Sequence, residues 1–260
     1  MKFYRSFGQI FLKDNFYKKK ILDNIVIKDE VVVEIGSGLG EITSELAKNA
    51  KYIYCVEIDK RFIDFLKDRF INNQNVKIVH CDILDFDFSQ FDKKVVVFGN
   101  VPYQISNFLI RYLVKNSQFI KFAYLTLQKE FAKKLIAKVS TKDYCFLTCF
   151  IQYYALVEKL FDIPNFAFFP KPKVDSTFLK IDFTAKKEYN FENEKILFDI
   201  IRRAFTHRRK KIINSLLFLK EKIEFLKSVN IDTNLRAENL SLQDYINLAK
   251  IYLKQNYEKH

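Results

Sequence analysis

With 260 residues, 49% of them apolar, the chain has enough material for one large α/β domain and a small second one, and the composition argues against disorder. Its formal charge of +13, from 44 basic and 31 acidic residues, points to a polyanion such as nucleic acid as partner. The excess is concentrated in residues 1–20 (six basic, one acidic) and 186–222 (eleven basic, five acidic).

Taken in order, residues 3–12 read as an aromatic lead-in and 14–24 as a helix carrying Lys18, Lys19 and Lys20. Val31–Ile35 reads as a short buried strand running into Gly36-Ser37-Gly38-Leu39-Gly40, with a helix over 41–48. A second strand over 53–56 ends in Glu57-Ile58-Asp59 and leads to a helix over 61–70. A third, 76–79, ends at Cys81-Asp82-Ile83. A fourth, Val95 to Phe98, runs into Gly99-Asn100-Val101-Pro102-Tyr103 and a helix over 106–115. A fifth lies near 122–127. Strand, loop and helix alternate as in βαβ units, which build a parallel sheet. Beyond it, 130–139 and 144–153 read as helices, and 155–163 and 175–183 as two strands closing the sheet with an antiparallel edge. A polar stretch after Thr184 reads as a linker, and from 192 onward the pattern is helical only. Ser241 and Asp244 form a near capping box for the last helix. The expected domains are 1–187 and 188–260.

The four cysteines form no C-x-x-C pair and the three histidines are far apart, so neither disulfides nor a metal site is expected. The N-terminus does not read as a signal peptide, and no apolar run approaches the ~18 residues of a membrane span. A cytoplasmic protein with no membrane partner is expected, as a monomer.

The strand ends carry the chemistry. Glu34-x-Gly36-x-Gly38-x-Gly40 lets the backbone pass close to a nucleotide-type ligand. Its spacing differs from the dinucleotide G-x-G-x-x-G, and no Lys-Ser/Thr follows, which excludes a P-loop. Glu34 would repel a diphosphate and suits a ligand with an ammonium group. Glu57 can accept from both ribose hydroxyls, and Asp82 from an adenine amino group. An adenosine and an amino acid without phosphates describe S-adenosylmethionine. Any one acidic strand end is more often a helix cap, but four polar strand ends in succession make a site. Asn100-Val101-Pro102-Tyr103 is either a strand-ending turn or a holder for a planar base, whose amino group bonds the amide oxygen and a carbonyl while the ring stacks. Gly99 and Pro102 are small neighbours that would leave room for a methyl group.

Gln9-x-x-Leu12, Glu34 to Gly40, Glu57-Ile58-Asp59, Asp82, Asn100 to Tyr103, Gln128-Lys129-Glu130 and Phe168-x-Pro170-x-Pro172-Lys173-Val174-Asp175-Ser176 follow one another in a single order. In this the chain resembles the ribosomal RNA adenine dimethylase family of class I, Rossmann-like methyltransferases. The resemblance runs from residue 7 to about 248. Phe205-x-His207-Arg208-Arg209-Lys210-x-Ile212-x-Asn214 and Arg236-Ala237-Glu238-x-Leu240-Ser241 favour its small-subunit dimethyladenosine transferase branch, associated with kasugamycin sensitivity, over its large-subunit resistance branch.

The resemblance implies a mostly parallel seven-stranded sheet with an antiparallel edge and a small all-α C-terminal domain. It implies S-adenosylmethionine as methyl donor, bound by Ile10, Leu12, Glu34, Gly36, Gly38, Glu57, Ile58, Asp82, Ile83 and Asn100. Ile10 departs from the family's usual Asn or His, which removes a polar side chain and leaves backbone contacts only. It further implies N6 dimethylation of two adjacent adenosines near the 3′ end of small-subunit rRNA, with a role in ribosome biogenesis. Asn100 and Val101 would accept the N6 hydrogens, and Pro102, Tyr103 and Phe168 would surround the base. Arg5, Lys18, Lys19, Lys20, Arg202, Arg203, Arg208, Arg209, Lys210 and Lys211 are the expected RNA contacts. Alternatives are a large-subunit resistance methyltransferase, an adenine-N6 DNA methyltransferase, and a non-catalytic RNA-binding assembly factor.

Overall fold

Val, Ile and Phe runs that bury both faces form the centre of one sheet. The computed structural model describes residues 10–185, 189, 191–216, 226 and 231–257. The strands are β1 (Phe11–Leu12), β2 (Val31–Ile35), β3 (Tyr52–Glu57), β4 (Val76–His80), β5 (Val95–Asn100), β6 (Ile120–Gln128), β7 (Leu156–Ile163), β8 (Phe168–Phe169) and β9 (Ser176–Asp182). The α-helices are α1 (Asn15–Leu22), α2 (Glu41–Leu46), α3 (Lys60–Arg69), α4 (Ser106–Lys115), α5 (Lys129–Leu135), α6 (Phe146–Tyr154), α7 (Glu194–Thr206), α8 (Ile212–Ser215) and α9 (Leu242–Tyr257).

Seven strands pair in the order β4-β3-β2-β5-β6-β9-β7. All neighbours from β4 to β6 run parallel, and β9 runs antiparallel to both β6 and β7. The order reverses between β2 and β5, so the crevice at their carboxyl ends is the topological switch point where such sheets bind ligands. Register aligns these ends: Ile35 lies opposite both Val56 and Gly99, Glu57 opposite His80, and Asn100 opposite Thr126. A second, two-stranded sheet joins β1 to β8, with Phe11 opposite Phe169 and Leu12 opposite Phe168.

Packing divides the chain into two units, 1–132 with 155–185, and 133–154 with 186–260. The one boundary expected at 187/188 thus becomes three, at 132/133, 154/155 and 185/186, because α6 clusters with the C-terminal helices. In the first unit Val32, Ile53, Val96, Phe98, Tyr124 and Phe178 share one core. In the second, α7 buries Leu197, Phe198, Ile200, Ile201 and Ala204 along one face at helical spacing. Phe198 is ringed by Phe146, Phe150, Tyr153 and Tyr154 at centroid distances of 5.3–6.2 Å. Asp244 Oδ2 accepts from the Ser241 backbone at 2.8 Å while Ser241 Oγ accepts from the Asp244 backbone at 3.1 Å, so the expected capping box is present.

Candidate active site

The loop after β2 bends through left-handed backbone at Gly36 (φ 70°) and Gly38 (φ 54°), where a side chain would be strained. The two glycines have different further reasons. A Cβ on Gly36 would meet nothing within 4 Å, so the backbone there faces open space. A Cβ on Gly38 would lie 2.7 Å from the Phe11 ring, so that glycine lets β1 close over the loop. Glu34 is buried under the loop and braces it: its Oε2 accepts from Ser37 Oγ at 2.9 Å, Thr43 Oγ1 at 2.5 Å and Cys55 Sγ at 3.8 Å. Burial lifts its carboxyl to about 6 against the pull of these donors.

Glu57 closes the loop from the next strand. Its Oε2 accepts from Gly38 N–H at 3.1 Å and its Oε1 from Asp59 N–H at 3.0 Å. Burial raises its pKa, and these backbone donors oppose the rise. Each carboxylate oxygen keeps a further acceptor site for a ligand hydroxyl. Asp82 at the end of β4 caps a short turn, accepting from Leu84 N–H at 2.9 Å. Thus all three acidic strand ends do the capping or bracing that acidic residues ordinarily do there, and all three also line one cavity of about 310 Å³. That volume lies within the range of small-molecule sites.

Asn100 Nδ2 donates to the Ile10 carbonyl at 2.8 Å. This bond fixes the amide, with nitrogen turned to β1 and Oδ1 left to accept. The contact uses the Ile10 carbonyl, which any residue supplies. Val101 N–H donates to the Thr126 carbonyl at 3.2 Å, which holds the following peptide. Tyr103 lies in the next turn with its hydroxyl 3.0 Å from Ser176 Oγ, and burial raises its pKa. Ser176 belongs to the last motif of the resemblance, so that bond ties two distant motifs together.

The cavity wall includes Ile10, Leu12, Glu34, Gly36, Gly38, Glu57, Ile58, Asp82, Ile83, Asn100, Val101, Pro102 and Tyr103. Two expectations need correction. Phe168 is absent from the wall: it is 4% exposed and packed in the core beside Leu12. Side chains alternate along β8, so Phe169 is the one that reaches the cavity. Gly99 is absent from the wall too, because its Cβ position points at Ile35, 3.0 Å away. Lys13 and Phe169 are among the wall residues not expected from the sequence, and Phe169 stands next to the expected Phe168.

The expected RNA-contacting residues differ in their surroundings. Arg5 lies outside the described residues. Lys18 pairs with Glu41, Lys20 Nζ lies 4.4 Å from the Phe161 ring centroid, and Lys19 is exposed. Arg202 lies over Phe146, Arg203 pairs with Asp199, and Lys211 donates to Asn234 at 2.7 Å. Arg208 donates to Glu238 and to the carbonyls of Thr141 and Lys142. Arg209 and Lys210 are exposed. Among the described residues no cluster of three or more His, Cys, Asp or Glu suits a metal ion, and no helix is long and apolar enough to cross a membrane.

Residues 1–254 match the ribosomal RNA adenine dimethylase family. Ribosomal RNA small subunit methyltransferase A of Malacoplasma penetrans is 39% identical over 252 residues, covering 94% of this chain and 90% of the relative. Its counterpart in Fusobacterium nucleatum is 38% identical over 257 residues, covering 95% and 97%. Among solved structures, a dimethyladenosine transferase from Plasmodium falciparum superposes with a TM-score of 0.80 at 26% identity, over 94% of this chain and 98% of that one. The 23S rRNA methyltransferase ErmE, at 23% identity and TM-score 0.75 over 92% and 98%, shares the fold. Through residues 1–254, the chain belongs to the ribosomal RNA adenine dimethylase family.

Proposed function

We propose that the chain transfers methyl groups from S-adenosylmethionine to N6 of two adjacent adenosines near the 3′ end of small-subunit rRNA, as a step in ribosome biogenesis. The observation that carries this reading is the Asn100 amide, whose nitrogen is held by the Ile10 carbonyl at 2.8 Å so that its oxygen is the end left to accept. The names of the relatives support the choice of small-subunit rRNA.

The residues present fit S-adenosylmethionine. Open space in front of Gly36 admits a ligand close to the backbone, and Glu57 and Asp82 face the same cavity with acceptor oxygens. Glu57 would take ribose hydroxyls, Asp82 and Ile83 the adenine, and Glu34 sets a negative potential beneath the loop. When bound, S-adenosylmethionine supplies an electrophilic methyl on a positively charged sulfur.

The chain's own part is to make adenine N6 reactive. That nitrogen is a poor nucleophile because its lone pair is delocalised into the ring. In the first transfer Asn100 Oδ1 and the Val101 carbonyl each accept one N6 hydrogen, which favours a pyramidal nitrogen with its lone pair out of the ring plane. In the second, one of them holds the single hydrogen left, and with each methyl gained N6 releases one proton to solvent. Tyr103, braced by Ser176, gives a flat face on which a base turned out of the RNA stacks. The catalytic contribution is thus orientation, which is sensitive to small displacements.

Purified protein, labelled S-adenosylmethionine and under-methylated small or large subunits test the proposal. Label is expected in small subunits, as N6,N6-dimethyladenosine. Asn100→Ala should lower kcat by about 10²-fold at saturating S-adenosylmethionine. Label in large subunits alone, or undiminished turnover by Asn100→Ala, overturns the reading.

A further inference from the structure

Phe169 is 43% exposed, while its neighbour Phe168 is buried. Lys13 Nζ lies 4.3 Å from the centroid of the Phe169 ring, and both residues line the cavity. Their positions are fixed by backbone. Phe169 is opposite Phe11 in the two-stranded sheet, and Lys13 N–H donates to the Ala167 carbonyl at 2.8 Å. Phe166, two residues before β8, is 65% exposed, and Lys171 and Lys173 follow on the exposed side. Two exposed rings and then two exposed lysines thus follow one another over residues 166–173, with Phe169 the one of the four that reaches the cavity.

We propose that Phe169 and Lys13 form a platform for the nucleotide next to the target adenosine, with its base on the Phe169 ring and an adjoining phosphate at Lys13. This rests on the reading of the cavity as an RNA adenine methylation site. A base turned out of its stack leaves its neighbour without a stacking partner. An aromatic face beside the cavity replaces that partner, and a lysine beside it meets the backbone charge. S-adenosylmethionine offers one carboxylate, which Lys13 alone of these lysines could meet from the cavity wall, and no phosphate. Single-stranded RNA offers both a base face and a phosphate.

The test compares wild type, Phe169→Ala, Phe169→Trp and Lys13→Ala with under-methylated small subunits as substrate. Phe169→Ala should raise KM for the subunit about tenfold, the lower part of the range for a lost base–aromatic stack. Its Kd for S-adenosylmethionine should stay within about twofold of wild type. Phe169→Trp should restore KM, which a loss of folding or a steric defect would not predict. Lys13→Ala should flatten the dependence of log KM on log salt by about one phosphate contact. A subunit KM unchanged in Phe169→Ala, or a Kd for S-adenosylmethionine that weakens as much as KM rises, overturns the platform. If Phe169→Ala does not fold, Phe169→Trp and Lys13→Ala decide: weakened subunit binding by the Trp variant and an unchanged salt slope for Lys13→Ala overturn it. Wild-type protein that leaves small subunits unmethylated refutes instead the function on which the platform rests.

Discussion

Glu34 shows how one residue serves the fold and the site at a cost. Three donors converge on its Oε2, and yet burial still holds its carboxyl up at about 6, above the ordinary 4.5. The folded chain binds this proton more tightly than the unfolded chain does. Its contribution to stability is therefore full below pH 4.5 and is lost as pH rises through 6. The span corresponds to about 2 kcal/mol. Glutamine keeps an acceptor oxygen for Ser37 and Thr43 and does not titrate. Urea unfolding of wild type and Glu34→Gln between pH 4 and 7.5 should show the variant gaining about 2 kcal/mol relative to wild type as pH rises. A difference independent of pH would show that Glu34 does not titrate in this window. Asn100 illustrates the opposite economy: its partner is a backbone carbonyl, which isoleucine at position 10 supplies as well as any residue.

At the level of elements, the antiparallel edge depends on a polar cross-strand contact as well as on backbone pairing. Asp162 on β7 stands opposite Thr177 on β9, and Thr177 Oγ1 donates to it at 2.7 Å. Burial pushes the Asp162 carboxyl up, but bonds from Thr177, Lys159 and Lys129 outweigh this and hold it at about 2. Its stabilising effect is present above the ordinary 3.8 and is lost as pH falls through 2. Thr177→Val preserves the shape and removes the hydroxyl. It should cost about 1 kcal/mol at neutral pH. It should also move the acid-unfolding midpoint, followed by circular dichroism, to higher pH; an unmoved midpoint would refute the role given to the hydroxyl. The sheet itself was legible because β2, β3 and β5 are apolar runs ending in glycine, acid or amide, a pattern that needs no distant partner to recognise. β1 and β8 were not legible, since two residues cannot show alternation and each becomes a strand only by pairing with the other. That omission explains why Phe168 was chosen over Phe169: the face each ring takes is set by this pairing. The grouping of 133–154 with the C-terminal helices was hidden for the same reason. Its apolar face reads as amphipathic either way, and only partners such as Phe198 on α7 decide where it packs.

Across the whole molecule, the charge of +13 is a statement about partners, but it does not say which cations meet them. Within the run Arg208-Arg209-Lys210 the structure separates two kinds. Arg208 is partly buried and joins Glu238 to the carbonyls of Thr141 and Lys142, so its guanidinium holds segments of the helical unit together. Arg209 and Lys210 are exposed beside it. Arg208→Ala should therefore lower the unfolding free energy by about 1–2 kcal/mol, allowing for partial solvent screening of the pair, and leave the salt dependence of subunit binding nearly unchanged. The double change Arg209→Ala with Lys210→Ala should leave stability within about 0.5 kcal/mol of wild type. Its plot of log KM for small subunits against log salt should be shallower by about 1.4–1.8, as two lost phosphate contacts require. The measurement pairs thermal or urea unfolding with methyl transfer at several salt concentrations. A salt slope that falls for Arg208→Ala and stays constant for the double variant would reverse the assignment: RNA would then be meeting the partly buried guanidinium, with the exposed pair serving only as solvated surface.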